Sequence, residues 1–190
     1  MRTKAGQELR KQSAQYSRAG SPRIFEAALS NYLEEVAPDS SHTSHLELIK
    51  RLLFTAGVSE SQLKRTKPTP GNSAAMAFYR DIANRGAACH LIGAGVVEYY
   101  YSKLSPKIFE AYVGFYEMTE RQAETYRLHG PMDEEHANRA LGVLDEAISL
   151  YGWPLIRDSV RDAFIATSLH YDGMLQASLK RIIYWDGKEK

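Results

Sequence analysis

The chain has 190 residues, enough for one domain with a sizeable core, and its 44% hydrophobic and 25% charged residues make an ordinary globular composition. A net charge of +1 gives no electrostatic case for nucleic acid, and no apolar run is long enough to span a bilayer. The single cysteine, Cys89, excludes an internal disulfide and any multi-cysteine zinc site, and it reads as a small buried residue.

Residues 1–20 are polar, without a clear period, and read as an N-terminal arm; 21–190 reads as a single helical domain. The basic start MRTKAGQELRKQ lacks the apolar core of a signal peptide, so a cytoplasmic location is expected. Ser21 and Pro22 form an N-cap with proline at the first helical position. Phe25, Ala28, Leu29, Tyr32, Leu33 and Val36 then follow the i, i+3, i+4, i+7 rule of an amphipathic helix. Pro38 and the run APDSSHTS end it. Leu46, Ile49, Leu52, Leu53 and Ala56 mark a second helix, closed by Gly57, and 58–72 reads as a connector.

Helical pattern returns from Asn72 to Asn84 and breaks at Arg85–Gly86. The next helix, about 87–104, contains Gly-Ala-Gly at 93–95, small residues that permit close backbone approach. Ser105–Pro106 reads as a fresh helix start. Thr119-Glu-Arg-Gln122 reads as an N-cap with glutamine in the third position of a capping box. A long helical pattern follows to about Leu150, with Gly130–Pro131 as an interior defect, and Trp153–Pro154 opens a last helix to about Trp185. No stretch shows β alternation, so the chain is predicted to be all-α, with about seven helices.

Chemistry concentrates at His-Gly-Pro-Met-Asp-Glu-Glu-His, residues 129–136. At about 100° per residue, positions four and seven apart return to one helix face, so His129, Asp133 and His136 share a narrow sector. Imidazole and carboxylate together suit iron, manganese or zinc. A solvated charged face is the competing reading, since Glu134 and Glu135 are neighbours. Glu98 shares a face with Leu91, Ala94 and Gly95, where its helix packs, and an ionised carboxylate there needs a partner or a metal. Glu35 and His45 flank the APDSSHTS connection, whose shortness brings two helix ends together; Glu34 and His42 compete for the same roles. Helical bundles build diiron carboxylate sites from such sets, although the usual pair of Glu-x-x-His motifs is absent.

This combination resembles the haem-oxygenase-like diiron oxidases and oxygenases, iron-containing redox enzymes related to the TenA-like and PqqC-like proteins, over about residues 22–150. HTSHLELIKRLLFTAGVS is similar to the family's histidine helix, Glu35 to the carboxylate ahead of it, Glu98 to the mid-chain glutamate on a helix of small residues, and LHGPMDEEHANRALGVL to the final His, Asp, His helix. The resemblance implies a haem-oxygenase-like bundle, here shortened at the N-terminus, with two iron atoms held by Glu35, His45, Glu98, His129, Asp133 and His136. Manganese and zinc suit the same ligands. It further implies O2 as co-substrate, oxidation of a small organic molecule (an amine, an amino-acid derivative or a fatty-acid-like chain) and, for the exposed face a short N-terminus leaves, a homodimer. A cofactor-free TenA-like or PqqC-like enzyme or binder, or a non-catalytic dimerisation protein, is the alternative.

Among the other polar residues, Tyr101 lies one turn beyond Glu98, is the tyrosine best placed to face the same way and is the candidate catalytic residue, able to relay electrons or hydrogen-bond a ligand, against a core or rim role. His90 and His170 read as structural, Lys103 and Lys107 as solvent-facing, and Glu117, Glu120 and Glu124 as a solvated face.

Overall fold

The computed structural model describes residues 21–36 and 43–180. The 1–20 arm, Pro38, His42 and the expected end of the last helix beyond residue 180 lie outside them. Among the described residues all regular structure is helical: α1 (Pro22–Val36), α2 (His45–Thr55), α3 (Glu60–Arg65), α4 (Pro70–Arg85), α5 (Ala87–Gly114), α6 (Glu124–Leu141), α7 (Leu144–Tyr151) and α8 (Trp153–Leu179). No described helix is long and apolar enough to cross a membrane.

Several starts follow local chemistry. The Ser21 hydroxyl accepts from the Ile24 amide at 3.1 Å, capping α1 ahead of Pro22. Thr69 caps α4 in the same way, with Pro70 behind it. The connector expected over 58–72 is partly helical: Ser59 and Gln62 form a reciprocal capping box that starts α3, and α4 begins at Pro70. Thr119 and Gln122 also bond reciprocally, at 2.8 and 3.3 Å, but they close a turn, and α6 begins only at Glu124. The long pattern to Leu150 is two helices, α6 and α7.

The helix expected to restart at Ser105–Pro106 does not; α5 runs through Pro106. It is the central helix, buried through Ala88, Cys89, Leu91, Ile92, Gly93, Gly95, Val97, Ser102 and Ser105, and packed on α1, α4, α6, α7 and α8. Packing on so many sides outweighs the one hydrogen bond and the clash that an interior proline brings, a penalty of about 3 kcal/mol in an isolated helix. Pro106 also has a partner, since a Cβ on Gly130 of α6 would stand 3.2 Å from its Cγ. The proline of one helix thus sits against the glycine of the other.

The core of Ile24, Ile82, Ile92, Leu91, Val97, Val143 and Ile156 is interleaved with Ala88, Ala140, Ala147 and Ala163. Small residues let α5 and α6 approach closely. At their crossing a Cβ on Gly95 would overlap the Ala140 methyl. Gly95→Ala is therefore expected to destabilise the fold by about 1–3 kcal/mol, a typical overpacking cost. Urea unfolding monitored by circular dichroism reads this directly; an unchanged midpoint would show that α5 and α6 do not depend on this contact.

Candidate metal centre

Four helices carry the six sequence-predicted residues, of which Glu35, Glu98 and His136 form one tight group and His45, His129 and Asp133 stand beside it. Glu35 lies in the last turn of α1, His45 is the first residue of α2, Glu98 is mid-α5, and His129, Asp133 and His136 rise along one face of α6. The α6 face divides as the helical period requires. Asp133 is 5% exposed and His136 0%, while Glu134 and Glu135 face solvent and pair with Lys103 and Arg139.

Glu35 joins the two halves of the site. One of its oxygens bonds His45 Nδ1, and the other lies 3.6 Å from His136 Nδ1. Glu98 Oε1 stands 3.6 Å from the same nitrogen. The His45 and His129 rings lie 4.1 Å apart, centre to centre. Glu35, Glu98 and His136 each offer one ligand atom, all within 4.8 Å of one another. Nitrogen and carboxylate ligands sit about 2.0–2.2 Å from a transition-metal ion, so ligands of one ion stand up to about 4.4 Å apart. A small contraction closes the set on a cation.

The chemistry of the donor set fits a metal. His45 Nε2, Glu98 Oε2 and His136 Nδ1 are buried and have no hydrogen-bond partner. Buried polar atoms left this way cost free energy unless something answers them. The other nitrogen of each histidine is already committed. His129 Nδ1 donates to the Thr125 carbonyl one turn back, and His136 Nε2 donates to Glu34 at 3.0 Å. His136 thus turns its Nδ1 lone pair towards Glu35 and Glu98.

The charges agree. Burial, and then the charge of Glu98, push the Asp133 carboxyl up from 3.8 to about 7. Burial alone would lower His136, but Glu98, Glu34 and Glu35 outweigh it and raise it. His129 is lowered, chiefly by burial, which favours the neutral ligand form.

A family model described as an iron-containing redox enzyme matches residues 11–179. The chain belongs to that family, within the haem-oxygenase-like superfamily. No curated protein and no solved structure gives a significant match. The helical bundle is the one its superfamily name describes.

In this iron-containing redox enzyme, Glu34 is more than a rival to Glu35. Arg139 grips both its oxygens, at 2.6 and 2.9 Å, and also donates to Asn31 at 3.0 Å. These bonds hold the Glu34 carboxyl below its ordinary range despite partial burial. The spacing that reveals the clamp is Arg139 three residues after His136, on the same helix face. Tyr101 is placed elsewhere. It stacks on Tyr171, ring centres 6.4 Å apart, and lines a separate cavity of about 390 Å³ with Tyr79, Thr167 and His170. A three-residue step leaves it about 60° of helical rotation from Glu98. His170 is held by Asn72, whose amide donates to its Nδ1 at 2.8 Å. Glu124 is not a solvated face: it pairs with Arg51 and fastens α2 to α6.

Two outcomes are expected. With a folded pKa above the unfolded one, Asp133 contributes stability that is complete below 3.8 and lost as pH rises through about 7. Metal-free Asp133→Asn should therefore gain stability relative to wild type as pH rises from about 4 to about 7, with a flat difference above that, in melts across pH, and a constant difference throughout would refute the buried-carboxyl account. Glu34→Gln should weaken Mn(II) binding about 10- to 100-fold, the usual effect of removing a partner that orients a ligand. Titration followed by electron paramagnetic resonance measures it, and unchanged affinity would remove Glu34 from that role.

Proposed function

We propose that Glu35, His45, Glu98, His129, Asp133 and His136 hold two iron atoms, and that the protein uses O2 to oxidise a small organic substrate. The outcome is C–C or C–N cleavage, N-oxygenation or desaturation. The observation that carries this reading is the meeting of Glu35, Glu98 and His136, from three different helices, with ligand atoms within 4.8 Å of one another and with Glu98 Oε2 and His136 Nδ1 buried and unpartnered. Membership of an iron-containing redox family supports the choice of metal.

Bound iron supplies the electrons and Lewis acidity that O2 reduction needs. The chain does the rest. Three carboxylates offset most of the charge of two divalent ions, and three neutral imidazoles complete the donors. Glu34, held by Arg139, keeps the His136 proton on Nε2, and the Thr125 carbonyl keeps the His129 proton on Nδ1. Both rings stay in the tautomer that binds metal. Burial of Asp133 and His136 keeps water from competing for the reacting centre. Below about pH 7 the Asp133 proton competes with metal, so affinity is expected to rise through that pH.

Anaerobic loading with Fe(II), metal counting and oxygen-electrode measurements test the proposal. About two irons per chain and iron-dependent O2 uptake are expected, as in diiron carboxylate bundles. Asp133→Ala should lower the metal count and His129→Ala should abolish O2 uptake. Failure to bind metal after reconstitution favours the cofactor-free alternative instead, and a full count in Asp133→Ala counts against the ligand set.

A further inference from the structure

Between α1 and α5 lies a cavity of about 210 Å³. His90, Ala94 and Glu98 line it from α5, and Ala28, Tyr32 and Glu35 from α1. His90 and Glu98 are separated by about 12 Å of helical rise, and Ala28 and Glu35 by about 10.5 Å. Glu35 and Glu98 meet at His136 Nδ1, each 3.6 Å from it. Both helices therefore run towards the candidate metal centre along the cavity. The centre closes one end, and Ala28 and His90 stand at the other. A volume this small, bordered along that length, suits a slender molecule.

The polar groups are unevenly placed. The middle carries Leu91 and Ala94 beside the Tyr32 ring and Asn31, whose amide is already bonded to the His136 carbonyl and to Arg139. At the far end the His90 imidazole makes no hydrogen bond to any described residue, and burial lowers its pKa, so it is neutral at pH 7. Neither lysine nor arginine lines the cavity, and its carboxylates stand at the opposite end. An anionic head beside His90 would be desolvated without a cation, and an ammonium head without an anion. A neutral head costs least and gives His90 a partner.

We propose that this cavity is the substrate channel, taking a slender, unbranched, mostly apolar molecule with an uncharged head of the alcohol or primary amide class hydrogen-bonded to His90 and its far end at Glu35 and Glu98. This deepens the function proposed above and rests on it for the fate of the molecule, but not for its binding.

The probes are hexan-1-ol, hexanamide, hexanoate and cyclohexanol. Affinities are measured by ligand-observed nuclear magnetic resonance on the full chain loaded with Zn(II), and orientation with Mn(II), whose paramagnetism relaxes the nearest protons most. Hexan-1-ol and hexanamide should bind at least about tenfold more tightly than hexanoate or cyclohexanol. Mn(II) should relax the methyl end of hexan-1-ol faster than its C1. His90→Leu should weaken hexan-1-ol about 3- to 10-fold, the worth of one neutral hydrogen bond, with the zinc count unchanged. Ala94→Leu should block all probes, and Ala28→Leu replaces it if that variant does not fold. The channel is overturned if hexanoate binds as tightly as hexan-1-ol, if C1 is relaxed faster than the methyl group, or if His90→Leu has no effect. Hexan-1-ol binding that depends on His90 in a chain holding no metal upholds the channel while removing the diiron proposal.

Discussion

The close approach of α5 and α6 governs the rest of the molecule. Gly95 lies against the Ala140 methyl and Gly130 against the Pro106 ring, so the two helices touch with almost no side chain between them. That contact sets Glu98 beside Asp133 and His136 and strips water from the latter two. Buried carboxylates oppose folding on their own. Their cost is offset by an apolar core running along the same two helices through Ile92, Val97, Ala140 and Val143. The centre is thus a polar inclusion in a core built to tolerate it, with His45 Nε2, Glu98 Oε2 and His136 Nδ1 left without a partner.

Around that inclusion the protein chooses which nitrogen of each histidine is free. Asn31 and Glu34 on α1 meet His136 and Arg139 on α6, in a ladder of bonds from backbone carbonyl to guanidinium. The pairs sit three residues apart on both helices, so one helix contact aligns both rungs. Fixing proton position beforehand removes reorganisation that a metal would otherwise impose on arrival.

Much of the bundle was legible because its apolar residues keep a helical period and its caps are local. Ser21–Pro22 and the small residues at 93–95 behave as their types suggest. Pro106 misled because an interior proline reads as a boundary until burial on several sides is known, and burial is a property of distant helices. At the centre, the shared face of His129, Asp133 and His136 followed from period alone. Glu34 and Glu35 could not be separated from sequence: they differ by about 100° of rotation, and only the position of α6 decides which carboxyl meets which nitrogen. That His90 lines a cavity could not be read from sequence, because α1, far away in the chain, completes it. The four-residue steps from Glu98 through Ala94 to His90 were the available signal.

Pro131 lies on the exposed side of α6, between His129 and Asp133. Having no N–H, it cannot donate to the carbonyl of Arg127, so one rung of the helical ladder is missing there. The turn bearing His129 and the turns bearing Asp133 and His136 are thereby joined more compliantly than in an unbroken helix. The ring contact of His45 with His129 and the carboxylate contacts of His136 can then adjust independently, each half of the helix keeping its own packing. A rigid bundle so acquires a soft joint at its most polar point.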